Sequence, residues 1–366
     1  MTKPIRVLHF QGRMGKGGAE TFIMNTYRNI DRSQLQFDFL IYHDFKDIKP
    51  YNKEIEKLGG RIFSVPNPKK NIFGYVLAVQ KLLRDEYFDI AHNHVFFGGG
   101  LNLWLAHKAG IQKRIAHSHA TTDGKNTLFS TVIRKGLDKW MFKYGTDFLA
   151  CSTEAGIGLF GEDHPFKFIP NGINLNLFQN KRETKRESKK RIGVPEESFV
   201  IGNIGRFELQ KNHDLLIDIF KNVTIDKPDS SLILIGEGSL EEDLKLKVNQ
   251  LQLNEKVYFL GIREDIPDIL NAMDVMVMPS LYEGLPISAV EAQASGVKLV
   301  MSSEVSKETQ LSQNVKFLSL ETSLDVWVDT ILKEPMDNRP LPEMKKFDVE
   351  FTAELMQGIY LDEVRT

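Results

Sequence analysis

The sequence holds a single cysteine, Cys151, in 366 residues. An intramolecular disulfide is thereby excluded, and a reducing compartment, the cytoplasm, is expected. Long apolar runs are also lacking. The longest charge-free apolar stretch, Val95 to Ala106, is broken by three glycines and an asparagine, whereas a membrane-spanning helix needs about 20 apolar residues. The N-terminus enters a short strand pattern at Ile5, without the apolar segment of a signal peptide. Charge of one sign is scarce: 47 Lys and Arg stand against 49 Asp and Glu, a net of −2. The basic surplus of a dedicated nucleic-acid binder is missing, so no nucleic-acid partner is expected.

Several catalytic signatures are absent as well. No Gly-x-Ser-x-Gly elbow occurs, and Cys151 has no base near it in sequence, so nucleophilic catalysis has little support. No Asp-x-Asp occurs, so handling of a diphosphate through a divalent metal is not signalled. No Gly-Lys-Ser/Thr follows the glycine-rich loop near residue 15, which excludes a Walker loop.

What is present is a globular composition, 42% hydrophobic and 26% charged, at a length that suggests about two domains. Short apolar runs alternate with helical spacing. Strand candidates in the first half are Arg6–Phe10, Phe37–Ile41, Arg61–Val65, Asp89–His92, Arg114–His117, Phe148–Ala150 and Lys167–Ile169. In the second half they are Val200–Ile204, Leu232–Ile235, Val257–Leu260, Val275–Met278 and Leu299–Met301. This alternation predicts an α/β chain with two doubly wound parallel sheets in series. The boundary is expected at Pro170-Asn171-Gly172, which has turn chemistry. The polar run Gln179–Arg191, with seven Lys/Arg and two Glu, reads as a solvated linker helix rather than a patch for anionic lipid.

Four groups of residues carry chemistry. Gly15-Lys16-Gly17-Gly18-Ala19-Glu20 follows the first strand and opens a helix, where free N–H groups suit a phosphate or a sugar. Gly205-Arg206-Phe207-Glu208-Leu209-Gln210-Lys211-Asn212 follows the strand at 200–204. There Arg206 and Lys211 would hold an anion, Arg by a fork and Lys as a point charge. The third is Glu283-Gly284-Leu285-Pro286-Ile287-Ser288-Ala289-Val290-Glu291. Its two carboxylates flank a helix start, which suits a diol on one side and a diphosphate on the other. Fourth come His92, His94, His117 and His119 at strand ends. They lack a cysteine pair or an acid to complete a zinc set. They read as hydrogen-bonding groups in a cleft, with buried, satisfied histidines as the plain alternative.

These sites, in this order, resemble the retaining GT-B glycosyltransferases that use nucleotide-activated sugars, and more narrowly those of bacterial capsule and exopolysaccharide assembly. The resemblance covers nearly the whole chain. It includes Gly17-Gly18-Ala19-Glu20, His117, Pro170-Asn171-Gly172-Ile173, Gly205-Arg206-Phe207 with Gln210-Lys211-Asn212, Gly236-Glu237-Gly238 and the Glu283…Glu291 pair. It implies two Rossmann-like domains facing a cleft: residues 1–171 for the acceptor and 172–350 for the donor, with the last helix, 351–366, crossing back to the first domain. By resemblance, Arg206 and Lys211 neutralise the donor diphosphate. Glu283, with Gly284, Leu285, Pro286 and Ile287, holds the transferred sugar, and Glu291 holds the ribose. Gly17 and Gly18 close over the phosphates, and His117 lies beside the reacting sugar. From their strand-end positions, and not from the resemblance, His94 and His119 are expected at the acceptor or elsewhere in the cleft. Uridine is the usual base in such relatives.

The expected activity is therefore a metal-independent hexosyltransferase without a cofactor. Its donor would be a nucleotide sugar, its acceptor a saccharide or lipid-linked saccharide. A nucleotide-sugar epimerase, a phosphorylase or a non-catalytic sugar-nucleotide binder on the same scaffold are the alternatives. The segment Lys125–Tyr144, with Ile133, Leu137, Trp140 and Met141 against Arg134, Lys135, Lys139 and Lys143, has the pattern of a basic amphipathic helix. Such a helix would give peripheral membrane contact, unless it packs its apolar side on the core.

Overall fold

Parallel strands buried on both faces read as unbroken apolar runs, and the strand Val275–Met278 (Val-Met-Val-Met), buried at every position, is of this kind. The computed structural model describes residues 3–15, 17–45, 51–96, 98–119, 128–180, 183–334 and 340–362, with side chains from 136 onward in the helix Leu128–Tyr144. Lys16, Lys125, Lys181 and Arg182, and the side chains of Ile133, Arg134 and Lys135, lie outside the described residues.

The chain divides into two compact units, 1–172 with 348–366, and 173–347. The first holds β1 (Ile5–Gly12), β2 (Leu35–Tyr42), β3 (Arg61–Val65), β4 (Ile90–Asn93), β5 (Lys113–Ser118), β6 (Asp147–Ala150) and β7 (Lys167–Phe168). They form one sheet in the order β3-β2-β1-β4-β5-β6-β7, and every pairing is parallel. One face is covered by the helices Gly18–Asn29 and Val349–Leu361, whose Phe22, Ile23, Tyr27, Ala353, Met356, Ile359 and Tyr360 pack with Val7, Phe37 and Phe39. The other face carries the helices Ile72–Asp85 and Gly99–Lys108.

The return of the C-terminal helix explains Pro170-Asn171-Gly172. A Cβ on Gly172 would lie 2.8 Å from the Val349 Cα and 2.6 Å from the Thr352 Oγ1. Thr352 Oγ1 donates to the Pro170 carbonyl (3.3 Å), and Asn25 Nδ2 donates to the Gly172 carbonyl (3.1 Å). Only glycine permits that approach.

The second unit holds β8 (Phe199–Ile204), β9 (Ser230–Ile235), β10 (Val257–Phe259), β11 (Val275–Met278), β12 (Lys298–Ser302) and β13 (Val315–Leu318), in the order β10-β9-β8-β11-β12-β13, again all parallel. Both sheets reverse strand order once near the middle, at β1/β4 and at β8/β11. In such sheets ligands gather outside the carboxyl ends of the strands at that reversal.

The basic run near 185 becomes the helix Lys185–Arg191, opened by a reciprocal cap between Thr184 and Glu187. Its cations are matched by acids, most of them distant in sequence. Lys185 and Lys189 meet Asp274 (2.7 and 3.3 Å), and Arg191 meets Glu183, Asp265 and Asp268 (3.1 Å each). Among the described residues, no helix is long and apolar enough to cross a membrane. In the helix Leu128–Tyr144, Met141 is buried. Gly100 lets the neighbouring helix approach so closely that a Cβ there would sit 1.9 Å from the Leu137 carbonyl oxygen. Lys139 and Lys143 are exposed.

Candidate active site

The loops after β8 and β11 flank the reversal point of the second sheet, and the sequence places its cations and its first glutamate on them. After β8 the chain turns through Gly205 and Arg206. Phe207 is buried, its amide donates to the Glu237 carbonyl, and its carbonyl accepts from the Leu240 amide (both 3.0 Å). The Gly236-Glu237-Gly238 turn makes this possible. Gly236 has a φ of 139°, and a Cβ there would stand 2.1 Å from the Gly205 carbonyl oxygen. A Cβ on Gly238 would stand 2.4 Å from the Phe207 carbonyl oxygen. The Arg206 side chain points to solvent, and no carboxylate among the described residues lies within ion-pair range of it.

Lys211 closes the short 3-10 turn Leu209–Lys211, capped by Asn212 in the left-handed region (φ 53°). Its ammonium pairs with the Glu283 carboxylate. Both side chains are mostly buried, 14% and 11% exposed. The backbone stitches the same two loops together: the Leu281 amide donates to the Gln210 carbonyl (2.8 Å), and Gln210 Nε2 donates to the Tyr282 carbonyl (2.9 Å).

Glu283 is itself clamped by the loop after β12. Its amide donates to the Glu304 carbonyl (3.3 Å), and its carbonyl accepts from the Ser306 amide (3.0 Å). Pro286 then caps the helix Ile287–Ala294 without a side-chain bond. The amides of Gly284, Leu285, Ile287 and Ser288 donate to no backbone carbonyl among the described residues. They are free N–H groups at the positive end of a helix, next to an ion pair.

Glu291 lies in the same helix but does not join that pair. It lines a cavity of about 490 Å³ with Leu177, Phe178, Asn180, Asp265 and Ser295. Burial pushes its carboxyl up to about 8, so at neutral pH it is mostly protonated and both donates and accepts.

In the first unit the strand ends gather five histidines where the sequence reading weighed four. His9, in β1, was missed. Alternation puts His92 of β4 and His94 just beyond it, and His117 of β5 and His119 just beyond it, on one face of the sheet. They form two rows. In one, Tyr360 Oη meets His92 Nδ1 (2.6 Å) and His92 Nε2 meets His117 Nδ1 (3.2 Å). In the other, His9 Nδ1 meets His94 Nε2 (2.9 Å) and His94 Nδ1 meets His119 Nε2 (2.8 Å). The rows stack, with ring centroids 4.1 Å apart for His92/His94 and for His117/His119.

Burial drives all five imidazoles well below their ordinary pKa, to about 3 for His9 and His119. The sequence shows no zinc set, and the fold adds one possibility that spacing does not reveal: His9, His92 and His94, and likewise His94, His117 and His119, bring three ring nitrogens within 4.8 Å of one another. The fold joins histidines that the sequence keeps 85 residues apart. Most of those nitrogens are engaged with each other.

The Gly17-Gly18 turn opens the helix Gly18–Asn29, but its first turn already holds an anion. The Glu20 carboxylate is buried, meets Arg13 (3.2 Å) and lies where a Gly17 Cβ would touch it at 2.4 Å.

Two family profiles match the chain: "Glycosyl transferases group 1" over residues 184–333 and "Glycosyltransferase Family 4" over residues 16–177. EpsF of Bacillus subtilis, named as a glycosyltransferase, is 35% identical over 353 residues, covering 93% of this chain and 90% of that protein. The chain is a group 1, family 4 glycosyltransferase. It is also similar to the Escherichia coli UDP-Gal:alpha-D-GlcNAc-diphosphoundecaprenol alpha-1,3-galactosyltransferase, 29% identical over 94% of this chain and 97% of that one. The capsular polysaccharide biosynthesis glycosyltransferase CapH of Staphylococcus aureus is 26% identical, with 98% and 99% covered. Among solved structures, Anabaena HepE in complex with UDP and glucose aligns with a TM-score of 0.71 at 18% identity, over 97% of this chain and 95% of that one.

The fold of this glycosyltransferase is thus GT-B. Apart from His9, the transferase holds a second residue that sequence reading passed over, Tyr360. It sits 268 residues from its partner His92, and only the path of the last helix brings the two together.

Proposed function

We propose that the protein is a retaining transferase that moves a hexose from a UDP-sugar to a saccharide or lipid-linked saccharide, with no metal at the donor site. The observation that carries this reading is the Lys211–Glu283 ion pair at the reversal point of the second sheet, beside the free amides of Gly284, Leu285, Ile287 and Ser288. A departing diphosphate gains negative charge as the sugar bond stretches. Preplaced cations and oriented N–H groups stabilise that charge more than the ground state. Lys211 and Arg206 supply the cations, and the helix that starts at Ile287 supplies the dipole.

Lys211 has three N–H donors. One faces Glu283, and the others serve a phosphate oxygen. Glu283 meets Lys211 through Oε1, and its carboxylate keeps accepting capacity for sugar hydroxyls. Glu291, protonated in its cavity, matches a ribose diol. From the first unit we assign His117, His119, His94, Gly17 and Gly18 to substrate contact. The E. coli relative's UDP-galactose and undecaprenyl-linked acceptor, and the UDP held by HepE, support the base and the acceptor class.

The test is a screen of labelled nucleotide sugars for binding and slow hydrolysis, followed by transfer to lipid-linked acceptors in excess chelator. The reading predicts transfer from a UDP-sugar, undiminished by chelator, with the donor's anomeric configuration in the product. Inverted product or complete loss in chelator contradicts it.

A further inference from the structure

The two histidine rows of the first unit differ in one respect. The row of His9, His94 and His119 ends at both sides in a buried nitrogen without a partner, His9 Nε2 and His119 Nδ1. Either polarity of its protons leaves one buried N–H and one lone pair unmet. The row of His92 and His117 begins instead at the Tyr360 hydroxyl and ends at His117 Nε2, also buried and without a partner.

That difference fixes a direction. A neutral imidazole carries one N–H and one lone pair. Burial keeps these rings neutral and holds Tyr360 well above the ordinary phenol range, so its proton stays on. His92 Nδ1 is the one hydrogen-bond partner of the Tyr360 hydroxyl among the described residues. If the hydroxyl accepted from His92, its own proton would be buried without an acceptor, an arrangement that folded proteins avoid. The hydroxyl therefore donates. His92 Nδ1 is then the bare nitrogen, and His92 Nε2–H donates to His117 Nδ1. The proton of His117 is left on Nε2. That N–H is the one group this polarity leaves unmet within the protein, whereas the reverse polarity leaves two, the Tyr360 proton and the His117 Nε2 lone pair.

We propose that Tyr360 and His92 are positioning residues that lock His117 in its Nε2–H tautomer, so that His117 offers substrate a hydrogen-bond donor and not a base. The role toward substrate rests on the assignment of His117 in the preceding subsection; the tautomer does not. The matching group is an oxygen with a free lone pair, such as a sugar hydroxyl or a phosphate oxygen. His119, whose ring stacks on His117 and whose row has no fixed direction, adapts by donating or accepting beside it.

The test is nitrogen-15 NMR of ring-labelled histidine in the intact protein at pH 7.5, with the His117→Gln variant identifying the His117 signals. Nitrogen shifts report which ring nitrogen carries the proton. The proposal predicts protonated Nε2 and bare Nδ1 in His117. It predicts loss of that preference in Tyr360→Phe, which removes only the hydroxyl. Where a nucleotide-sugar assay is in hand, Tyr360→Phe should lower kcat about tenfold with the donor KM unchanged. His92→Phe should cost as much, and the double variant no more than either alone. His117 protonated at Nδ1 in the wild type overturns the proposal. An unchanged tautomer in Tyr360→Phe, or stoichiometric zinc bound to the purified protein, overturns it equally. Should Tyr360→Phe fail to fold, the wild-type tautomer decides alone. An ordered tautomer in a protein that turns over no nucleotide sugar supports this proposal and overturns the proposed function.

Discussion

Lys211 and Glu283 stand 72 residues apart in the sequence and form one ion pair, because their loops leave the carboxyl ends of the adjacent strands β8 and β11. The pair gives Lys211 a fixed position while leaving donors for a second anion. Breaking it from either side should expose two different defects. Lys211→Ala removes the charge that meets the diphosphate, and transfer should fall by a factor on the order of 100 to 1,000. Glu283→Gln keeps shape and loses charge. It should weaken sugar positioning and lower kcat more than it raises the donor KM. Steady-state kinetics of the two variants, with far-ultraviolet circular dichroism to confirm the fold, checks both.

The pair should also register in stability. Both side chains are mostly buried, so truncating one leaves the other's charge unmatched in a poor solvent. A double-mutant cycle of Lys211→Ala and Glu283→Ala in urea unfolding should give a coupling energy of about 1–3 kcal/mol. Additive losses would mean that the two charges do not interact.

Glu291 makes a prediction of opposite sign to most carboxylates. Its folded pKa is raised to about 8 by burial, above the unfolded value. Its contribution to stability is full below about 4.5 and is lost as pH rises through 8. Glu291→Gln removes that dependence. Its melting temperature should exceed the wild type's at pH 8.5 by a few degrees, at about 2–4 °C per kcal/mol, and the advantage should shrink toward pH 5. The same variant should raise the donor KM.

The histidines act at the other end of the scale. His9, His92, His94, His117 and His119 all have depressed folded values through burial, and His213 falls to about 4 through burial first and the Lys211 charge second. Their contribution is present above the unfolded pKa near 6.5 and is lost as pH falls below it toward the folded values. Each histidine steepens the loss by up to about 1.4 kcal/mol per pH unit. Thermal melts at pH 7.5, 6.5 and 5.5 should show accelerating destabilisation. His213 has both ring nitrogens buried without partners and lies edge-on to Phe207. His213→Leu should flatten the acid limb without loss at pH 7.5.

The glycine turn after β9 is a geometric requirement. A methyl group at Gly236 would both adopt a φ that side chains rarely take and press on the Gly205 carbonyl. Gly236→Ala should cost about 1–3 kcal/mol and shift the Arg206 loop, so donor binding should weaken together with urea resistance.

Much of this architecture was legible before the structure. Twelve strands announced themselves because buried parallel strands are short apolar runs, and the glycine, arginine, lysine and glutamate motifs fell on strand ends. The strand Val315–Leu318 escaped because it is four residues long with an exposed lysine, Lys316, inside it. His9 escaped because a lone histidine in an apolar strand looks like core. Nothing local tells that β4 will bring His92 and His94 beside it. The cations of Lys185–Arg191 read as a solvated run, since their acids, Asp265, Asp268 and Asp274, lie some 70 to 90 residues on. The spacing of Glu283 and Glu291 was readable, but their separation into an ion pair and a cavity was not. That depends on which side of one helix faces the pocket.

The most direct test of the central claim is calorimetric titration of UDP and of uridine into the wild type and Lys211→Ala. If the loops after β8 and β11 receive the diphosphate, the wild type should bind UDP far more tightly than uridine, by a factor on the order of 100. Lys211→Ala should remove most of that difference while leaving uridine binding as it was. Equal affinity for UDP in the two proteins would contradict the account.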